Sequence, residues 1–205
     1  MTEIAKRGRQ KSFDRAEALE KAAHLFWKRG FSPTSLAELT SAMGIHPPSL
    51  YNAFGGKEDL FLEVLDNYMR ESDEWLEEEF AAYSSMRQAF AHILLHMADF
   101  LTDPVHPPGC LLACGGVNLE SADSRIEKTM SQLRHGREEY FLGKLRKARR
   151  DGELPAELSP RSFAAYFQSV QQGMSALARD GANRERLREV ARVAMLAWPA
   201  SDQER

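Results

Sequence analysis

The chain has 205 residues, of which 43% are apolar and 28% charged, a balance that is ordinary for a globular protein of one or two domains. No stretch approaches the roughly 18 apolar residues that a membrane helix needs, and the N-terminus lacks the apolar core of a signal peptide. A cytoplasmic protein with no membrane partner is therefore expected. The net charge of −3 is unevenly spread, because residues 1–57 carry 9 Lys+Arg against 5 Asp+Glu and the remainder is acidic. A basic end on an acidic body is typical of a protein that meets a polyanion with one end.

The first eleven residues contain Lys6, Arg7, Arg9 and Lys11 and show no apolar periodicity. This pattern predicts a basic arm, which is either a solubilising tail or a segment that enters a DNA minor groove. A first helix should follow, opening with a capping box at Asp14–Glu17 and ending near Arg29.

The segment from Thr34 to Lys57 predicts two short helices joined by a tight turn. Ser35 and Glu38 have the spacing of a capping box, and Gly44 supplies the positive φ that ends the helix. The second helix begins at His46 with prolines in its first turn, where their missing N–H groups cost nothing. Two short helices with this connection form a helix-turn-helix motif, whose second helix lies in the DNA major groove.

The rest of the chain has helical apolar periodicity, and no run alternates at the strand period. The sequence therefore predicts an all-α protein. It consists of a three-helix helix-turn-helix domain with its basic arm at 1–57, and a larger helical domain at 58–205. The helices expected in the second domain are a long one from Lys57 towards Phe80, then 86–102, 110–121, 124–151, 160–180 and 184–198.

The N-terminal motif resembles that of the TetR (tetracycline-repressor-like) family. The residues that carry the resemblance are Gly30-Phe31, Thr34-Ser35, Gly44, Leu50-Tyr51, Phe54 and Lys57. The resemblance implies a homodimeric repressor that binds a palindromic double-stranded DNA operator and is released by a small-molecule effector. It places the DNA contacts at Thr34, Ser35, Ala37, Pro47, Pro48, Ser49, Tyr51 and Lys57.

The last two predicted helices carry small residues among large apolar ones, such as Ala165, Ser169, Gly173 and Ala176. Small residues let helices approach closely, either within one chain or between two. In the resembled family this pair of helices forms the homodimer interface. An effector pocket is expected among the helices of the second domain, although its lining cannot be separated from plain core by sequence. The candidates are Trp75, Phe90, His96, Met97, Phe100, Cys110, Phe167, Gln171 and Met174.

Two cysteines suggest an alternative mode of regulation. Cys110 lies at a predicted helix N-terminus, where the dipole would lower the pKa of its thiol and favour an oxidant or electrophile sensor. His92 and His96 also lie four residues apart on one predicted helix, and His106, Cys110 and Cys114 follow one another at four-residue steps, a set that would suit copper or zinc. The simpler interpretation is that both cysteines are small core residues. No catalytic Ser-His-Asp order or glycine-rich phosphate loop is present, so neither an enzyme nor a cofactor is expected.

Overall fold

The computed structural model describes residues 13–116, 119 and 123–198. Within these ranges the protein is all-α, with no strand, and the predicted fold class is confirmed. The predicted basic arm lies outside the described residues. The helices are α1 Arg15–Arg29, α2 Leu36–Met43, α3 Pro47–Phe54, α4 Lys57–Ala82, α5 Met86–Phe100, α6 Leu111–Cys114, α7 Ser124–Arg150, α8 Pro160–Arg179 and α9 Arg184–Ala194.

The first three helices begin and end where local chemistry dictates. The Asp14 side chain accepts hydrogen bonds from the backbone N–H groups of Ala16 and Glu17 at the start of α1. Ser35 and Glu38 form the reciprocal capping box of α2, and Gly44 takes φ 68° in the left-handed region to end that helix. His46 is the N-cap of α3, with proline in the first turn, but its side chain makes no capping hydrogen bond.

Two apolar clusters form the interior. The first, which we call the head cluster, joins α1, α2 and α3 to the first half of α4 through residues such as Phe26, Leu39, Leu50 and Phe61. The second, the body cluster, joins the second half of α4 to α5, α7, α8 and α9. The 26-residue α4 therefore belongs to both clusters, and the first half of α4 packs with the head although it follows residue 57.

The structure corrects two predicted helices. Of the segment expected to be helical over 110–121, the described residues 110–116 and 119 contain one helical turn, α6, which ends at Cys114 and is followed by Gly115 and Gly116. A Cβ at Gly115 would lie 2.7 Å from the Leu111 carbonyl oxygen, so the chain needs glycine at this close approach. The last helix ends at Ala194 and tightens into a 3-10 turn over Met195–Ala197. None of the helices in the described ranges is long and apolar enough to cross a membrane.

Candidate functional site

The first turn of α3 points away from the head cluster. Leu50 is fully buried beneath it, whereas Pro47 and Pro48 are exposed, Ser49 is half-exposed and Tyr51 is 50% exposed. This arrangement leaves the edge of α3 free to enter a groove, as the sequence predicts for a recognition helix.

The predicted contacts on α2 and α4 surround this turn, with one exception. Ala37 is exposed, and the Ser35 hydroxyl donates to Glu38 Oε2 at 2.8 Å. Lys57 is half-buried, with its Nζ 4.3 Å from the centre of the Phe31 ring and donating to the Ser32 carbonyl oxygen at 3.2 Å. These contacts leave the Lys57 ammonium beside the N-terminus of α4.

Thr34 is the exception, and the prediction for its side chain is wrong. Thr34 is completely buried and its hydroxyl donates to the Gly30 carbonyl oxygen at 2.8 Å. The hydroxyl thus satisfies a backbone acceptor at the end of α1 and connects α1 to α2. It cannot reach a phosphate without unfolding that connection.

A partly open cavity of about 220 Å³, which we call the chamber, lies between α4, α5, α7 and α8 above the α6 turn. Six of the predicted pocket residues line it: Trp75, His96, Met97, Phe100, Cys110 and Gln171. The wall is mostly apolar with a few polar groups, which is the usual character of a small-molecule site.

Three predicted pocket residues belong to the core instead. Phe90 and Phe167 pack edge-to-face at 4.7 Å, and Met174 is fully buried in the same body cluster. The sequence analysis missed Tyr68, Arg137 and several apolar wall residues. Tyr68 was identified only as part of the apolar stripe of α4, and no local pattern around Arg137 marks it as facing inwards.

The environment of Cys110 contradicts the predicted reactive thiolate. Cys110 precedes a helix of only four residues, and burial raises the pKa of its thiol above the ordinary value. Tyr68 donates its hydroxyl proton to Cys110 Sγ at 3.2 Å, and burial raises the pKa of that phenol well above its usual range. Cys114 is buried with its Sγ 3.2 Å from Ser175 Oγ. The Cys110 thiol is therefore uncharged and forms part of the chamber wall.

The histidines also have partners other than a metal. His92 Nδ1 lies 2.5 Å from Glu79 Oε2, the His96 ring stacks on Trp75 at 4.3 Å, and the His106 ring stacks on Trp27 at 4.4 Å. Burial lowers the pKa of His96. Within the described ranges, no three His, Cys, Asp or Glu side chains converge as a metal site would require.

Trp27 connects the head to the chamber wall. It lies near the end of α1, is 8% exposed and donates its indole N–H to the Gly109 carbonyl oxygen at 3.0 Å. Its ring meets Tyr68 edge-on at 5.2 Å and lies 5.9 Å from Phe100. Tyr68 and Phe100 both line the chamber, so Trp27 brings α1 against the back of the chamber wall.

Helices α8 and α9 expose the small and apolar residues noted in the sequence. Ala165, Ser169, Gly173 and Ala176 are all exposed, and nothing lies within 4 Å of a Cβ placed at Gly173. Packing within the chain therefore does not require glycine there. On the following segment Val193 is 59% and Leu196 76% exposed. An apolar surface of this kind is typical of a protein interface.

Comparison with known proteins places these features in a family. The family model for bacterial regulatory proteins of the tetR family matches residues 18–64, and the tetracyclin repressor-like C-terminal domain matches residues 88–198. The chain is 36% identical over 197 residues to the HTH-type transcriptional repressor ComR of Escherichia coli (strain K12), covering 94% of this chain and 92% of ComR.

Solved structures agree with the family models. A cysteine variant of the TetR family transcriptional regulator CifR, complexed with 26-bp operator DNA, is 34% identical with a TM-score of 0.88. The match covers 93% of this chain and 100% of the CifR chain. A TetR transcriptional regulator from Rhodococcus sp. RHA1 is also 34% identical, with a TM-score of 0.61 over 92% of this chain and 100% of that one. The helix-turn-helix head, the helical body and these likenesses together show that the chain belongs to the TetR family of DNA-binding transcriptional regulators.

Proposed function

We propose that this protein is a homodimeric repressor that binds a palindromic operator through α2 and α3 and leaves it when a small molecule fills the chamber. The observation that carries the proposal is the shared helix α4. It begins at Lys57 beside the recognition helix, and from Tyr68, about three turns further along, it lines the chamber. ComR is a transcriptional repressor and the CifR variant is bound to its operator, and both likenesses support the DNA-binding half of the proposal.

On the operator, the exposed first turn of α3 would lie against base edges in the major groove. Pro47 and Pro48 offer apolar surface to thymine methyl groups, and the Tyr51 hydroxyl and Ser49 offer hydrogen bonds to phosphates. Lys57 would add a charged phosphate contact at the start of α4, with Ser35 and Ala37 at the neighbouring backbone. Few long polar side chains reach the groove, so DNA shape would carry much of the specificity.

A dimer is required for such a site because two recognition helices must read half-sites about 34–36 Å apart. The exposed small residues of α8, together with the exposed Val193 and Leu196, supply the surface. The body would thus set the distance between the two heads.

The chamber would control the heads through two contacts. Its wall includes Tyr68 and Trp75 of α4, and Trp27 of α1 packs against Tyr68. A ligand that fits the chamber only when α4 moves would bind the released state better than the DNA-bound state, which is the condition for any shift between them.

The proposal is tested by selecting duplexes from a random library with the dimeric protein and titrating the selected duplex. Ala37→Asp places a carboxylate on the exposed DNA-facing side of α2, near the helix N-terminus, where the dipole tolerates it. Ala156→Asp makes the same change on an exposed loop of the body and serves as the matched control. We expect saturable binding of two protomers per duplex, lost in the first variant and kept in the control. Equal binding by both variants would contradict the assignment of the DNA surface.

A further inference from the structure

One end of the chamber carries polar groups that its apolar wall does not explain. A side cavity of about 50 Å³, which we call the annex, opens there and is lined by Arg134, Arg137 and three glutamines. The annex and the chamber share the lining residues Met97, Cys110, Leu112, Arg137 and Gln171. The two cavities therefore adjoin, and at the smaller one two arginines and three glutamines join apolar side chains.

The charges of the annex are all of one sign. Its lining contains two arginines and no carboxylate. Arg137 pairs through Nη1 with Asp73 at 2.8 Å and donates through Nη2 to Ser72 Oγ at 3.2 Å, so its Nε–H is not used by either contact. Within the described residues Arg134 has no carboxylate at ion-pair distance, although Arg134 is half-buried.

A half-buried guanidinium group beside an apolar cavity is costly unless an anion accompanies it, and of these two arginines only Arg137 has a carboxylate partner within the described residues. The Arg137 side chain is only 10% exposed, whereas that of its partner Asp73 is 59% exposed. Asp73 can therefore remain at the surface or turn to solvent while a second carboxylate takes the inner side of the guanidinium. Arginine presents a fork of N–H donors that matches a carboxylate, and the glutamine amides of the annex add further donors.

We infer that the effector is an organic carboxylate, with a compact aromatic or aliphatic body in the chamber and its carboxylate in the annex between Arg134 and Arg137. The inference deepens the proposed function and rests on the chamber being the effector site. The sizes agree, because a cavity of about 150 Å³ is known to hold a benzene ring and the chamber is somewhat larger. The annex has room for a group the size of a carboxylate and little more.

The test compares ligands that share an apolar part and differ in their polar group. The probes are 3-phenylpropanoate, 3-phenylpropanamide, 3-phenylpropan-1-ol and 3-phenylpropylamine. Octanoate and octanamide repeat the comparison with a second apolar part. Binding to the full chain is measured at pH 7.5 by calorimetry in the absence of DNA. We expect each acid to bind at least about tenfold more tightly than its amide, as a charge-assisted hydrogen bond allows. An amide, alcohol or amine that binds as tightly as the acid, or no acid binding at 5 mM, would overturn the inference.

Arginine variants then show where the polar group of the ligand binds. Arg134→Gln and Arg137→Gln should each weaken binding of the acid about tenfold and leave the amide within about twofold. Arg137→Lys keeps the charge without the fork and should restore part of the preference. Arg150→Gln removes an exposed charge from the same helix and should change neither ligand. Equal weakening by Arg150→Gln would show that only net charge matters and would contradict the annex.

Release from the operator is scored separately, so that the two proposals can fail independently. If the acids bind in the arginine-dependent way but leave the protein on DNA, the carboxylate site stands and effector release fails. If a neutral molecule displaces the operator while the acids do not bind, effector release stands and the carboxylate inference fails.

Discussion

The head and the body are both helical, but the helix starts that shape the predicted DNA surface are fixed by local caps, whereas the helices around the chamber are joined by bonds between residues far apart in the chain. In the head, Asp14 caps α1 and Ser35 caps α2 within three residues. In the body, Arg137 pairs with Asp73 and Arg188 with Asp99, and the Met86 N–H donates to Glu153 Oε2 across 67 residues.

This difference bears on function. Local caps fix the starts of α1 and α2 and so shape the surface that must match DNA, while Trp27 and the Phe31 N–H bond the head to the body at Gly109 and Gly115. Long-range bonds hold the body together only as long as its helices keep their places. A ligand that separates α4 from α7 can exchange such bonds for its own, so the body can change where the head cannot.

The largest effect expected from the comparison comes from a change that leaves the head intact. Gly173→Arg puts a long cation on the exposed face of α8, where an intrachain Cβ would meet nothing. We expect a folded monomer whose operator affinity falls on the order of 10³-fold, because specific binding needs two linked heads. Light scattering and operator titration measure the two effects.

Gly143→Arg is the matched control, since Gly143 is also exposed in mid-helix with open space around it. It should remain dimeric and bind the operator normally. A dimeric Gly173→Arg protein would move the interface away from α8.

A second effect tests how well the body excludes solvent from the Cys110 thiol. Because burial raises the pKa of Cys110, its thiolate is scarcer at neutral pH than in the unfolded chain. We expect iodoacetamide at pH 7.5 to alkylate Cys110 on the order of 100-fold more slowly in the folded protein than in urea. Mass spectrometry of the Cys114→Ser variant isolates this site.

The same shift has a consequence for stability. A thiol whose folded-state pKa is raised contributes stability that is fully present below the unfolded pKa and is lost as the pH rises through the folded pKa. The wild type should therefore lose more stability above pH 9 than Cys110→Ser does. Rapid alkylation at pH 7.5, or equal alkaline losses, would restore the hypothesis of a reactive thiolate.

A third prediction separates the head surface from the head interior. Tyr51→Ala removes a half-exposed side chain, so the free energy of unfolding should hardly change. Operator affinity should fall about tenfold, as expected for one lost hydrogen bond to a charged phosphate. A thermal melt beside the operator titration distinguishes the two. A large loss of stability with no loss of affinity would place Tyr51 in the core.

The smallest effect expected concerns the bond between head and body. Trp27→Phe keeps an aromatic ring but removes the N–H that donates to Gly109. We expect operator affinity to stay within about twofold while the effect of a ligand on that affinity falls about threefold. Trp198→Phe removes a comparable bond to the Glu153 carbonyl oxygen, and Glu153 and Trp198 do not line the chamber, so coupling should persist. Equal coupling in both variants would show that the signal bypasses Trp27.

The sequence predicted the head well because its signals are local. The Ser35–Glu38 box, Gly44 and the prolines after His46 each determine structure within a few residues, and all lie where they were expected. Thr34 was the failure, because its burial depends on how the end of α1 meets α2.

The body was harder to predict because its features depend on which helix faces meet. The sequence identified Phe90, Phe167 and Cys110 as members of apolar stripes, but it could not say which stripe faces a cavity. Arg137 reaches the chamber only because α7 packs beside α4, and nothing within α7 indicates this. The Gly115-Gly116 turn also shortened a helix that periodicity alone extended.

The length of α4 sets the scale of motion that DNA would detect. At 1.5 Å per residue, Lys57 lies about 27 Å along the helix from Trp75 in the chamber wall. A tilt of about 7° pivoted at Trp75 would displace the Lys57 end by about 3 Å, close to the 3.4 Å rise of one base step. A displacement of only about 1 Å at Tyr68, seven residues from that pivot, would therefore put the two heads out of step with their half-sites.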